Sequence, residues 1–376
     1  MHHMTRIRTL TIISGLLALG PVFWAATAQE ARDPGDNIVL ITLDGARTEE
    51  IFGGLQLDIL RSTMREKQVV EDSPAYRRFW AATPEERRLK LMPFFWSLVT
   101  REGSIAGNRR LGSSVRLTNG HWFSYPGYSE ILLGEAHDDE IKSNDPIRNP
   151  YTTVLETLRD RLRLPAEKVA TFASWSVFNE IVEHEAGKTF VNAGVEPLGL
   201  AGAAIQAINT LQQQAVTPWD NTRSDAFTFY LAMAHLAAAR PRVLYLAFDE
   251  TDDWAHDGRY ERVLDAFART DLYLKELWSW LQNDPGYRGR THLLVTTDHG
   301  RGHTPADWRE HGAKTEGSQE VWIAFASPKM SFRGEWKGEP ALATNQVAAT
   351  LSQWMGVDWN AARPKAGQPI VKGGSR

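Results

Sequence analysis

The sequence predicts an α/β protein with a mostly parallel sheet sandwiched by helices. Three observations predict it. Short, continuous apolar runs recur along the chain, as in strands buried on both faces. Segments of helical periodicity separate them, which favours parallel pairing through crossovers. Three of the runs end at carboxylates, and in open α/β sheets ligands gather at those ends.

Taken in order, Ile38–Leu43 (IVLITL) is the first such run and stops at Asp44-Gly45. Residues 46–90 are mixed and charged, and Met92–Val99 has helical character. Ser124-Tyr125-Pro126-Gly127 reads as a turn feeding a helix that begins near Ser129-Glu130. Val154, Leu155, Leu158 and Leu162 share a helix face, and Val169–Ala173 is the second strand. Residues 201–214 and 225–239 form helices broken at Thr217-Pro218. Val243–Phe248 is the third strand and leads into Asp249-Glu250-Thr251-Asp252-Asp253 and His256. A long amphipathic helix follows from about Tyr260 to Gln282. Leu293-Leu294-Val295 is the core of the fourth strand and delivers Asp298-His299-Gly300, with His311-Gly312 after it. Val321–Ala326 is the fifth strand and Ala341–Trp354 a C-terminal helix. No internal repeat or linker appears. We therefore expect one catalytic domain over residues 36–360, insertions at about 46–115 and 175–225, and a flexible tail over 361–376.

Composition is ordinary and globular, 42% hydrophobic and 23% charged, and the net charge of −4 offers nothing to nucleic acid or anionic membranes. Zero Cys rules out disulfides and thiolate metal sites. Residues 1–28 resemble a cleavable leader: Arg6 and Arg8, an apolar Leu10–Trp24, then Ala26-Thr27-Ala28. The expected address is periplasmic or secreted, with no stable membrane span after cleavage.

Asp and neutral His suit zinc and similar divalent ions. Asp252 and His256 are four apart and share a face if that segment is helical. This spacing favours Asp252 over its rivals Asp249 and Asp253. Asp44, Asp252, His256, Asp298, His299 and His311 would serve two metals, a pairing suited to in-line phosphoryl displacement. Arg47, Arg148 and Arg301 lie near these motifs as candidate anion binders, Trp308 as a candidate lining residue and His303 in the loop between two motifs.

The ordered set Asp44-Gly45, Ser124-Tyr125-Pro126, Asp252-x-x-x-His256, Asp298-His299-Gly300 and His311-Gly312 resembles the alkaline phosphatase superfamily. Its nearest likeness is to the nucleotide pyrophosphatase/type I phosphodiesterase-like branch and to bacterial alkaline phosphatase family proteins. The resemblance implies a three-layer α/β/α sandwich and two divalent ions, zinc foremost, with manganese, magnesium or iron as substitutes. It implies that Asp44, Asp298 and His299 hold one ion together with the nucleophile Ser124, and that Asp252, His256 and His311 hold the other. Asn144 matches an asparagine that donates to a phosphoryl oxygen. The implied activity is hydrolysis of a small anionic phosphoric ester through a phosphoserine. Sulfate or phosphonate ester cleavage, a phosphoglycerate-mutase-like phosphotransfer and an inactive metal-binding protein are the alternatives. Gly127 departs from the Asn-His pair that follows the proline in the family. Tyr128 stands where the formylglycine sulfatase motif needs arginine. Nothing in the sequence specifies an oligomeric state.

Overall fold

A computed structural model of the protein describes residues 35–338 and 340–370. The expected leader lies outside the described residues. Among the described residues no helix is long and apolar enough to cross a membrane.

Among the described residues eleven strands form in chain order: β1 (Asn37–Leu43), β2 (Gly103–Ala106), β3 (Val115–Arg116), β4 (Val169–Ala173), β5 (Phe190–Ala193), β6 (Val243–Phe248), β7 (Thr291–Thr296), β8 (Glu320–Val321), β9 (Ile323–Ala326), β10 (Gly334–Glu335) and β11 (Leu342–Ala343). The central sheet has eight strands in the order β10-β2-β9-β7-β1-β6-β4-β5, and β11-β3-β8 form a small second sheet. Pairing is parallel from β7 through β5, and β9 runs antiparallel to both of its neighbours, β7 and β2. The chain is thus an α/β fold with a mostly parallel central sheet.

Both faces of that sheet are covered, which is why its strands read as unbroken apolar runs. Along β1 the alternate residues Val39, Ile41 and Leu43 enter one core, and Ile38 and Leu40 enter the other. The first core is closed by the helix Tyr260–Asn283 through Leu264, Phe267 and Leu274, and by the helix Asp225–Ala239 through Phe229 and Leu236. The second is closed by the helices Ser124–Leu133, Val154–Arg161 and Val347–Trp354. At roughly 1.5–3 kcal/mol per fully buried large apolar side chain, these two layers provide the main drive to fold.

Five expectations change. The C-terminal helix expected from Ala341 begins at Val347, because Leu342 and Ala343 pair with β3. Residues 321–326 do not form one strand. The chain breaks at buried Trp322, whose indole N–H donates to Ala46 O at 2.9 Å and whose carbonyl accepts from Thr296 Oγ1 at 2.6 Å, so β8 and β9 enter different sheets. The helix expected near Ser129 begins at Ser124. Pro126 sits in its first turn, where a missing N–H has no partner to lose. The stretches expected as insertions contain β2 and β5, so each supplies a strand of the central sheet. The stretch after Asn360 is anchored as far as Ile370: Gly367 N donates to Gly134 O at 3.0 Å, Ile370 N donates to Thr350 Oγ1 at 2.9 Å, and Ala366 and Ile370 are buried.

The register places the functional edge. Leu43 pairs with Phe248 and Thr42 with Thr296, so β7, β1 and β6 are adjacent and end level. Asp44, Asp249 and Asp298 leave the sheet side by side.

Candidate active site and metal centre

Asp44 follows β1 directly and is buried. Gly45 turns the chain with φ 57°, and a Cβ there would lie 2.6 Å from Asp252 Oδ1 and 2.7 Å from Arg301 Nε. Only glycine fits both the angle and the space. Gly45 N donates to Asp298 Oδ1 at 3.0 Å, and Ala46 N donates to Thr297 Oγ1 at 3.0 Å, tying the β1 exit to the β7 exit. Thr251 Oγ1 donates to Asp44 O at 2.5 Å. The Tyr128 hydroxyl donates to Asp44 Oδ2 at 2.9 Å; burial, then the Asp298 charge, raises its pKa and keeps it protonated.

These bonds leave Asp44 Oδ1 and Asp298 Oδ2 buried and without a hydrogen bond. Both face His299 Nε2, at 3.3 and 3.5 Å. His299 Nδ1 lies 2.8 Å from Gly300 O, so the ring donates there and presents its Nε2 lone pair when neutral. Ser124, the first residue of its helix, puts Oγ 3.4 Å from the same nitrogen. Gly127 permits this approach, since a Cβ there would come within 2.3 Å of Asp298 O. The departure from the Asn-His pair therefore has a steric reason.

Beside this cluster the helix Glu250–His256 carries Asp252 and His256 on one face, with Asp252 Oδ2 3.2 Å from His256 Nε2. His256 Nε2 lies 3.0 Å from His311 Nε2, and the His299 and His311 rings stack at 4.1 Å. Two ligand groups result, Asp44–Asp298–His299 and Asp252–His299–His311, each with its donor atoms within 4.8 Å of one another. Asp253 instead accepts from Thr222 Oγ1 at 3.1 Å, and Asp249 borders Asp44 and Asp253. Of the three competing aspartates, Asp252 is the one beside His256.

The electrostatics of the site suit cations. Burial, then the Asp44 charge, raises the Asp298 pKa. For His299, burial alone would lower the pKa, but the Asp298 and Asp44 carboxylates outweigh it and raise the ring to about 9. His256 and His311 are lowered, by burial and then by His299, so both keep free lone pairs. Buried oxygens without donors, converging imidazole nitrogens and an all-N/O donor set fit two divalent ions.

A pH prediction follows. Asp298 and His299 bind protons more tightly in the metal-free fold than in the unfolded chain. Their stabilisation of that fold therefore falls as pH rises. The His299 part is complete below its unfolded value of 6.5 and gone above about 9. Metal-free protein is expected to melt at lower temperature at pH 9 than at pH 6.5. Zinc, which needs these groups deprotonated, should restore stability most at pH 9. Melting curves with and without zinc test this, and a metal-free Tm that rises over that range would contradict it.

A cleft of about 200 Å³ opens over Ser124 and Asp44, walled by Asn144, Trp175, Trp219, Asn221 and Thr222. Asn144 Oδ1 accepts from Tyr125 N at 2.9 Å, leaving its amide nitrogen for another partner. Trp175, Trp219, Asn221, Thr222, Thr251 and Tyr128 were not legible as site residues. The only local signal was the helix-breaking Thr217–Asn221 stretch, which tertiary folding brings to the cleft.

Other candidates are engaged elsewhere. Arg47 pairs with Glu50, and Arg148 with Glu180. Trp308 is buried against Tyr260 at 5.3 Å and does not line the cleft. His303 bridges Glu49 at 2.6 Å and Glu320 at 3.4 Å. Arg301 is buried against Asp252.

Residues 122–353 match the family described as type I phosphodiesterase/nucleotide pyrophosphatase, a span that holds Ser124 through His311 and omits Asp44. No curated protein matches the sequence at a significant level. Among solved structures, a multiply substituted form of alkaline phosphatase PafA is similar with a TM-score of 0.56 at 10% identity, covering 90% of this chain and 98% of that one. A protein in the alkaline phosphatase superfamily from Vibrio parahaemolyticus gives 0.51 at 12% identity, covering 90% and 71%. The phosphonate monoester hydrolase SpPMH from Silicibacter pomeroyi gives 0.52 at 12%, covering 89% and 76%. At such identities these likenesses establish the alkaline-phosphatase-like fold.

Proposed function

The chain belongs to the type I phosphodiesterase/nucleotide pyrophosphatase family, and from that premise we propose that it is a two-metal hydrolase of phosphoric esters with Ser124 as nucleophile. The observation that carries the reading is the convergence on His299 Nε2 of Ser124 Oγ and the hydrogen-bond-free oxygens of Asp44 and Asp298. Asp44, Asp298 and His299 would hold one cation with Ser124, and Asp252, His256 and His311 the other. When bound, the cations supply Lewis-acid polarisation and make the serine hydroxyl more acidic.

The chain's own residues do the rest. Ser124 Oγ bonds to phosphorus as the bond from phosphorus to the leaving oxygen breaks. Water then attacks the phosphoserine and frees Ser124. The Asn144 amide nitrogen is available to a nonbridging oxygen, because its Oδ1 is already held by Tyr125 N. Ser124 opens a ten-residue helix, whose N-terminal field favours an anion there. The expected leader would direct this activity to the periplasm or outside the cell.

Rates on aryl phosphate monoester, phosphate diester, phosphonate and sulfate, with protein of measured metal content, test the proposal. A phosphoric ester is expected to be turned over fastest. Sulfate as the best substrate, or no turnover with two ions bound, would refute it.

A further inference from the structure

We propose that Arg301 is a positioning residue that holds Asp252 for the second cation. The inference rests on the two-cation reading above and assigns a role in it to a side chain outside the ligand set. Arg301 is 1% exposed and lies in the loop between His299 and His311. One terminal nitrogen, Nη1, donates to Arg309 O, anchoring the guanidinium to the far limb of its own loop. The other, Nη2, contacts Asp252 Oδ1 and lies 3.5 Å from Asp252 O. Asp252 Oδ2 is left facing His256 Nε2 at 3.2 Å. One carboxylate oxygen thus meets the guanidinium and the other faces His256.

Gly45 completes the clamp. Its missing Cβ makes the room in which Asp252 Oδ1 and Arg301 Nε sit. The charge is needed there. Asp44, Asp249, Asp253 and Asp298 crowd the same strand ends, and a further buried carboxylate without a counter-charge is costly. Among the described residues, no other guanidinium or ammonium group contacts any of these five aspartates. The repulsion between a guanidinium and a nearby cation works the other way. It is the smaller effect, because outer partners that fix a ligand typically contribute about 10–100-fold in metal affinity.

Stepwise zinc titration of the metal-free full chain is the test, with Arg301→Gln and Arg301→Lys beside the wild type. Both variants should take up the first zinc with wild-type affinity. Arg301→Gln should bind the second about tenfold more weakly, and Arg301→Lys, which keeps the charge and loses the fork, should fall between. A merely structural role would not separate the two sites or be partly rescued by lysine. If Arg301→Gln does not fold, Arg301→Lys decides alone, since it too must weaken the second site and spare the first. Second-site affinity in the folded variant that equals or exceeds the wild type overturns the inference alone. A wild-type chain that takes up fewer than two zinc ions overturns the proposed function, and this inference with it.

Discussion

Replacing Ser124 by alanine should abolish turnover while both cations stay bound. Ser124 Oγ lines the cleft and sits 3.4 Å from His299 Nε2 at the first ligand cluster, where the proposed function needs its nucleophile. The substitution removes one oxygen and leaves Asp44, Asp298 and His299 in place. Loss of a nucleophile that works as a unit with its activators costs far more than a positioning defect, so the rate should fall on the order of 10³-fold or more. Metal analysis and steady-state rates on the same preparation check it. A variant that retained activity within about tenfold would show that another group attacks phosphorus.

Replacing His299 by alanine should empty the first cation site. Its Nε2 lies 3.3 Å from Asp44 Oδ1 and 3.5 Å from Asp298 Oδ2, and because Nδ1 donates to Gly300 O this nitrogen carries the ring's one lone pair. Without the ring, Asp44 and Asp298 face each other with no cation between them. Burial and mutual repulsion then favour protonation, which opposes metal uptake. Affinity at the first site should fall at least ~100-fold, the upper end of what losing an outer-shell partner costs. Asp252→Asn provides the contrast and should weaken the second site and spare the first. Zinc titrations separate the cases, and a His299→Ala protein that keeps the first ion would sink the assignment of His299 to that site.

Much of the centre was legible in the chain itself. The apolar runs ending at Asp44, Asp249 and Asp298 correspond to β1, β6 and β7, and the four-residue spacing of Asp252 and His256 lies on a helix as expected. Such features are local. Strand propensity, helix periodicity and a carboxylate at a strand end are written in a few consecutive residues. The α/β class followed from the same local signals in alternation.

Only the tertiary structure decided what depends on distant partners. Trp322 splits an apparent strand because Ala46 and Thr296 claim its polar groups, and the stretch after Asn360 is anchored because Gly134 and Thr350 accept its backbone. Arg301 reads as a candidate anion binder until burial places it on Asp252, and Trp219 as a loop residue until it walls the cleft. The sequence by itself determined which side chains stand at the strand ends. The parallel pairing of β1 with β6 and β7, over separations of some two hundred residues, decided that those ends meet. Long-range pairing of this kind depends on the summed burial of both sheet faces, to which no single stretch of the chain holds the key.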